Sequence, residues 1–148
     1  MSVLITTEIL GEHPVLTSVS TKLDLATAWV RSGDGLIGFG EYKRFEVKGE
    51  NRFNDARTWW NQQLSEFMIK NNVHGGGSGP ILFTSFSFDP NQPSILVIPE
   101  IILGQKNGKS WITWVGSSSQ PDLSKVNTAL YIDFLQNPKP LQIDIKLL

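Results

Sequence analysis

The stretch His74–Gly116, HGGGSGPILFTSFSFDPNQPSILVIPEIILGQKNGKSWITWVG, decides the fold. It reads as a glycine joint followed by three strands. Ile81–Phe88 alternates, with Ile81, Phe83, Ser85 and Ser87 on one face and Leu82, Thr84, Phe86 and Phe88 on the other. Asp89-Pro90-Asn91-Gln92-Pro93 is a turn by composition. Ser94–Gly104 is rich in β-branched residues, Lys106-Asn107-Gly108-Lys109 is a tight-hairpin signal, and Trp111–Val115 returns. Such a run predicts antiparallel sheet.

Outward from that stretch, the glycines Gly75-Gly76-Gly77-Ser78-Gly79 invite a phosphate-loop reading. A Walker loop needs a Gly-Lys-Ser/Thr that opens a helix, and a dinucleotide loop needs a strand before it and a helix after. The order expected here is helix, glycines, strand, with no lysine in place, so the segment reads as a flexible helix-to-strand connector. Gly35-Leu36-Ile37-Gly38-Phe39-Gly40 fails the same requirement, because it lies within a strand pattern.

Upstream, Val3–Ile9 and Pro14–Ser20 read as strands, and Trp29–Arg31 as a short apolar piece. Ser32-Gly33-Asp34-Gly35 is a turn, since Asp-Gly suits the positive φ angles of hairpins. Leu36–Glu46 reads as one long strand, with Gly38 and Gly40 marking a bulge or a close backbone approach. The best helix is Asp55–Lys70, with Asn54 as N-cap and Ala56, Trp59 or Trp60, Leu64, Phe67 and Met68 as its apolar face. Downstream, Ser124–Gln136 reads as a second helix and Leu141–Leu147 as a half-buried strand. A strand at Leu148 suggests a longer parent protein. The fold class expected is α+β, mainly antiparallel sheet with one or two packed helices, in one domain over residues 1–148.

Composition narrows the function classes. Lysine plus arginine is 13 against 14 acids, a net charge of -1, which leaves no basic excess for nucleic acid. With no cysteine, disulfides, zinc–thiolate sites and thiol catalysis are excluded. MSVLITTEIL lacks a basic n-region, and no apolar run approaches the roughly 20 residues that span a bilayer. The expectation is a cytoplasmic protein without nucleic-acid or membrane partners.

Residue types alone reveal no catalytic or metal site. His13 and His74 lack metal-ligand spacing, Ser85 and Ser87 lack a nucleophile-elbow context, and Glu41, Asp89 and Glu100 are isolated acids near strand ends. The five tryptophans are many for this length. Trp59 and Trp60 diverge on a helix, and Trp111 and Trp114 lie on opposite faces of a strand, so one of each pair is expected in the core and the other against a further part of the structure.

Two segments carry a resemblance. Trp29–Glu41, followed by Arg52-Phe53 and Ala56–Trp60, is similar to the early region of isochorismate synthases. Gly79–Pro90, Ser94–Pro99 and Trp111–Thr113 resemble the stretch that follows in the same enzymes, in the same order. The resemblance implies the N-terminal part of the aminodeoxychorismate-synthase-like fold of chorismate-utilising enzymes. It further implies a magnesium-dependent conversion of chorismate to isochorismate in the menaquinone or siderophore pathway. In that chemistry a lysine activates water, one glutamate is the acid, and others hold the metal. The lysine belongs to a Lys-Val-Val-Leu-Ala-Arg-like segment that residues 117–148 do not match. So no catalytic, cofactor-binding or metal residue is carried over. The expectation is an N-terminal domain, inactive alone, whose partner is a C-terminal catalytic half and whose exposed sheet edges invite a homodimer. An independent β-rich module for a small ligand or protein partner is the alternative.

Overall fold

The computed structural model describes residues 2–11, 26–32 and 34–116. The expected strands at 14–20 and 141–147 and the helix at 124–136 lie outside those residues, as does His13. The described part is α+β: nine strands in two sheets and one helix.

The larger sheet is built on two hairpins. Strand β1 is Val3–Gly11, β2 is Ala26–Arg31, and β3 is Asp34–Phe39. Strand β4 is Lys43–Val47, helix α1 is Arg52–Glu66, and β5 is Phe67–Asn71. Strand β6 is Phe83–Ser85, β7 is Ser94–Ile98, β8 is Ile101–Lys106, and β9 is Lys109–Val115. The six-stranded sheet runs β2-β3-β8-β9-β1-β5, and the three-stranded sheet runs β4-β7-β6. At the β8–β9 turn Asn107 has φ 52 and Gly108 φ 80, the double positive-φ geometry that Asn-Gly accommodates best. The β2–β3 hairpin closes with Arg31 opposite Asp34.

The expected long strand at 36–46 is cut in two, and so is 94–104. Phe39 pairs with Ile101 on one side of the cut and Lys43 with Ile98 on the other. Between them Gly40-Glu41-Tyr42 faces Pro99-Glu100, three residues against two. Proline donates no hydrogen bond, so the ladder cannot pass straight through Pro99. Gly40, at φ +70, takes the bend. The Glu100 amide still donates to the Phe39 carbonyl at 3.1 Å and the Tyr42 amide to the Ile98 carbonyl at 2.7 Å. One bent strand pair thus crosses from the large sheet into the small one. The close approach expected at Gly38 is real: a Cβ there would lie 2.8 Å from both the Phe83 ring and Pro99.

The helix is shifted from its expected place. It starts at Arg52, after Asn51 rather than Asn54, and ends at Glu66. Phe67–Asn71 forms a strand instead, paired in parallel with Val3–Thr7. Phe67-Met68-Ile69 continues the helical period yet also suits a strand, and pairing with β1 decides between them. Met68, expected on the helix's apolar face, is 61% exposed. Helix α1 buries Arg52, Ala56 and Gln63, and Ala56 packs with Val47 and Leu96 beside Phe45, Trp59 and Leu82. The expected strand at 81–88 contracts to β6, and the residues after it turn towards β7.

The core lies mainly at the centre of the large sheet. Strands β8 and β9 are buried on both faces through Ile101, Ile102, Leu103, Trp111, Ile112 and Trp114, with Ile5, Ile37 and Phe39 from their neighbours. One polar pair sits inside: the Thr7 and Thr113 hydroxyls are 2.7 Å apart, and the Gly79 amide donates to Thr7 Oγ1 at 3.1 Å. Replacing Thr7 by valine keeps the shape and strands both partners. The expected cost is about 1–3 kcal/mol, read as a shift in the urea midpoint with the slope unchanged. A shift near zero would mean that these partners are satisfied without Thr7.

Candidate functional site

The residues singled out in the sequence do not converge. His74 is exposed in the loop after β5, its amide bonded to Asn71 Oδ1 at 3.1 Å. Glu41 pairs with Arg44 at 3.0 Å on the surface. Asp89 Oδ1 accepts the Asn91 amide at 2.9 Å and so closes a turn. Glu100 stands at the break between the sheets. Ser85 is exposed, and Ser87 Oγ lies 2.8 Å from the carbonyl oxygens of Asp89 and Gln92. Among the described residues no group of three potential ligands is placed to hold a metal ion.

The tryptophans divide differently from the expectation. Trp111 and Trp114 are both buried, at 4% and 6% exposure, so neither member of that pair reaches outward. Trp59 stacks on Phe45 at 5.0 Å, and Trp60 meets the Phe67 ring edge-on at 6.4 Å. The exposed indole is that of Trp29, at 66%.

The glycine segment is preceded by a strand, β5, rather than by a helix, and it is tied down rather than left as a free joint. Asn71 Oδ1 accepts the Val73 and His74 amides, and Asn71 Nδ2 donates to Ser78 Oγ at 2.8 Å. Ser78 Oγ in turn accepts the Gly75 amide at 3.0 Å. Trp111 Nε1 donates to the Gly77 carbonyl at 3.3 Å, which fastens the loop to the sheet.

That loop forms one wall of a groove of about 350 Å3 lined by Trp29, Arg31, Asp34, Leu36, Lys106 and Trp111, together with Gly35, Gln105, Gly76 and Gly77. The sheet register explains how they meet. Trp29 is opposite Leu36, Leu36 opposite Gly104, and Gly104 opposite Trp111, so these four make one row across four strands. Gly104 has no side chain, and the Trp111 indole lies in the space left free. Two residues further along the same face comes a charged row. Arg31 is opposite Asp34, Lys106 is opposite Lys109, and Asp34 Oδ2 accepts the Asn107 amide at 3.4 Å from the neighbouring hairpin. An apolar row thus runs beside a charged one, separated by a two-residue step of about 7 Å. The sequence reading missed Arg31, Asp34 and Lys106. Their signal, alternate residues at the ends of two hairpins, acquires meaning only once β3 and β8 are known to be neighbours.

A second hollow lies between β4 and α1, lined by Phe45, Glu46, Lys48, Asp55, Thr58 and Trp59. It is shallower and lacks the ordered rows of the first. Among the described residues no helix is long and apolar enough to cross a membrane.

Comparison with curated proteins and with solved structures gives no match. A family model described as chorismate binding enzyme matches residues 12–134. The matched region takes in every element from β2 to β9 and leaves out β1, which nevertheless lies between β9 and β5 in the sheet. Spanning well over half of the sequence, the match establishes that this chain belongs to the chorismate-binding enzyme family.

Proposed function

We propose that this chain is the N-terminal, supporting part of an isochorismate synthase serving menaquinone or siderophore synthesis in the cytoplasm. Magnesium and the catalytic groups would reside on a C-terminal half outside these residues. The observation that carries the reading is the ordered resemblance of Trp29–Glu41 and Gly79–Thr113 to that enzyme type, lying inside the family match. The placement of the acids supports it as well: Glu41 is engaged with Arg44 and Asp89 with its own turn.

Both borders of the large sheet support a role in joining further polypeptide. Among the described residues β5 and β2 are the outermost strands. They expose Met68, Ile69, Trp29 and Val30. Unpaired strand borders with apolar side chains favour extension by another strand, from a catalytic half or from a second copy of the chain.

Incubating the 148-residue chain with chorismate and magnesium is expected to give no isochorismate above the uncatalysed background. Turnover of about 1 s-1 or faster would overturn the assignment of a supporting role. The specific branch is tested by expressing the full open reading frame of the gene and supplying chorismate, magnesium and ammonia. Isochorismate is the expected product; anthranilate or salicylate would place the protein in another branch of the family.

A further inference from the structure

The groove beside the glycine loop combines an apolar row with a charged one. Its apolar floor is the Trp29–Leu36–Trp111 row. Trp111 cannot turn away, because it is buried and its Nε1 is held by the Gly77 carbonyl. Trp29 is the opposite case, an exposed indole presenting an open face at the mouth. An aromatic side chain in that position offers a stacking surface for a flat ring.

The adjoining row carries Arg31 and Lys106, and among the described residues neither has an ion-pair partner. Asp34 lies in the same row, but its carboxylate already accepts the Asn107 amide. With Lys109 across from Lys106, the row holds three cations against one acid. The groove volume of about 350 Å3 lies near the lower bound for small-molecule sites, which suits a single ring.

The geometry points to a binding site for a small planar ring carboxylate, its ring against Trp29 and Leu36 and its carboxylate between Arg31 and Lys106. Arginine meets a carboxylate through a planar, two-pronged set of donors, and the ring covers apolar surface that water otherwise wets. A cationic ligand would face three like charges, and a small inorganic anion would leave the floor uncovered. This inference goes beyond the supporting role proposed above, because every contributing residue belongs to this chain.

The test uses the full chain, 15N-labelled, with benzoate as the ring carboxylate, benzamide as its uncharged counterpart and inorganic phosphate as an anion without a ring. The indole N–H signals of Trp29 and Trp111 are expected to move saturably with benzoate, with a Kd of about 1 mM or tighter. Benzamide and phosphate are expected to bind at least about tenfold more weakly. Arg31→Gln and Lys106→Gln should each weaken benzoate about fivefold or more. Trp29→Ala should weaken benzoate and benzamide together, and Lys70→Gln, on the far border of the sheet, should change nothing. Far-UV circular dichroism verifies that each variant is folded. No saturable shift with benzoate, equal binding of benzamide or phosphate, or full binding by both charge variants would each overturn the assignment.

Discussion

Gly104→Ala is expected to unfold the protein or cost about 3 kcal/mol or more, the upper range for overpacking a core. A Cβ at Gly104 would lie 2.1 Å from Trp111 Cε2, 2.2 Å from Nε1 and 2.5 Å from Cζ2. No covalently separate atoms approach that closely, so something must move. The indole has little room to do so: Trp111 is 4% exposed, sits directly across the β8–β9 pair from Gly104, and is tied to the Gly77 carbonyl. Turning the ring aside would drive it into Leu36 or release the glycine loop. The backbone has no more freedom, because Ile102, Leu103 and Ile112 around it are fully packed. Alanine ordinarily stabilises a strand relative to glycine by reducing the freedom of the unfolded chain, so the predicted sign runs against the general tendency. Guanidinium denaturation followed by far-UV circular dichroism measures it. The double variant Gly104→Ala with Trp111→Leu removes the ring that the methyl group meets. It should recover part of the loss relative to the sum of the two single changes, a coupling that a double-mutant cycle isolates. If Gly104→Ala is within about 0.5 kcal/mol of the parent, the indole does not lie over Gly104, and Trp111 does not form the floor of the groove.

What could be read in advance and what could not follow from the range of the interactions. The Asn107-Gly108 turn was legible because positive φ is a demand on single residues, met locally by asparagine and glycine. The Ser32–Gly35 turn was legible in place but not in detail: Asp34 and Gly35 already belong to β3, opposite Arg31 and Val30, and the left-handed φ of 54 falls on Ser32. Gly38, Gly40 and Pro99 were legible as irregularities for the same reason, although nothing local states that they stack into one bend shared by two strands. Strand β5 was not legible. The apolar spacing of Leu64, Phe67 and Met68 extends the helix, and only the parallel partner β1, in which Val3 lies opposite Phe67, converts those residues to strand. The groove was hidden for a related reason. Its rows exist only in the register between β3 and β8, and a slip of one residue would send Asp34 and Leu36 to the other face. Trp111 and Trp114 were correctly set on opposite faces, but the sheet is covered on both, so both are interior.

Arg52→Met is the second change expected to have a large effect, a loss of about 2–4 kcal/mol. Arg52 opens α1 and is 7% exposed, yet among the described residues no carboxylate is paired with it. Its charge is met by carbonyl oxygens instead: Nε donates to Ser87 at 3.2 Å, Nη1 to Gly49 at 3.1 Å and Nη2 to Phe88 at 3.2 Å. The guanidinium also lies 4.5 Å from the centre of the Phe53 ring. One planar group thereby fastens the turn before the helix to the turn before β7. The Gly49 amide bond to the Pro90 carbonyl, at 2.7 Å, joins the same two turns. Methionine keeps the aliphatic stem, so packing is largely retained and the loss reports the donors. Lysine keeps the charge but has a single donor centre. If charge alone matters, Arg52→Lys behaves as the parent; if the fork geometry matters, it falls close to the methionine variant. The second outcome is expected, because the three acceptors belong to separate residues that one ammonium cannot reach together. Denaturation midpoints give the magnitude, and amide exchange at Gly49 and Ser87 gives the location. Both amides are expected to exchange faster in the methionine variant, while the central amides of β8 and β9 follow only the global loss. A methionine variant as stable as the parent, with unchanged exchange at Gly49, would show that the two turns are held together without this side chain.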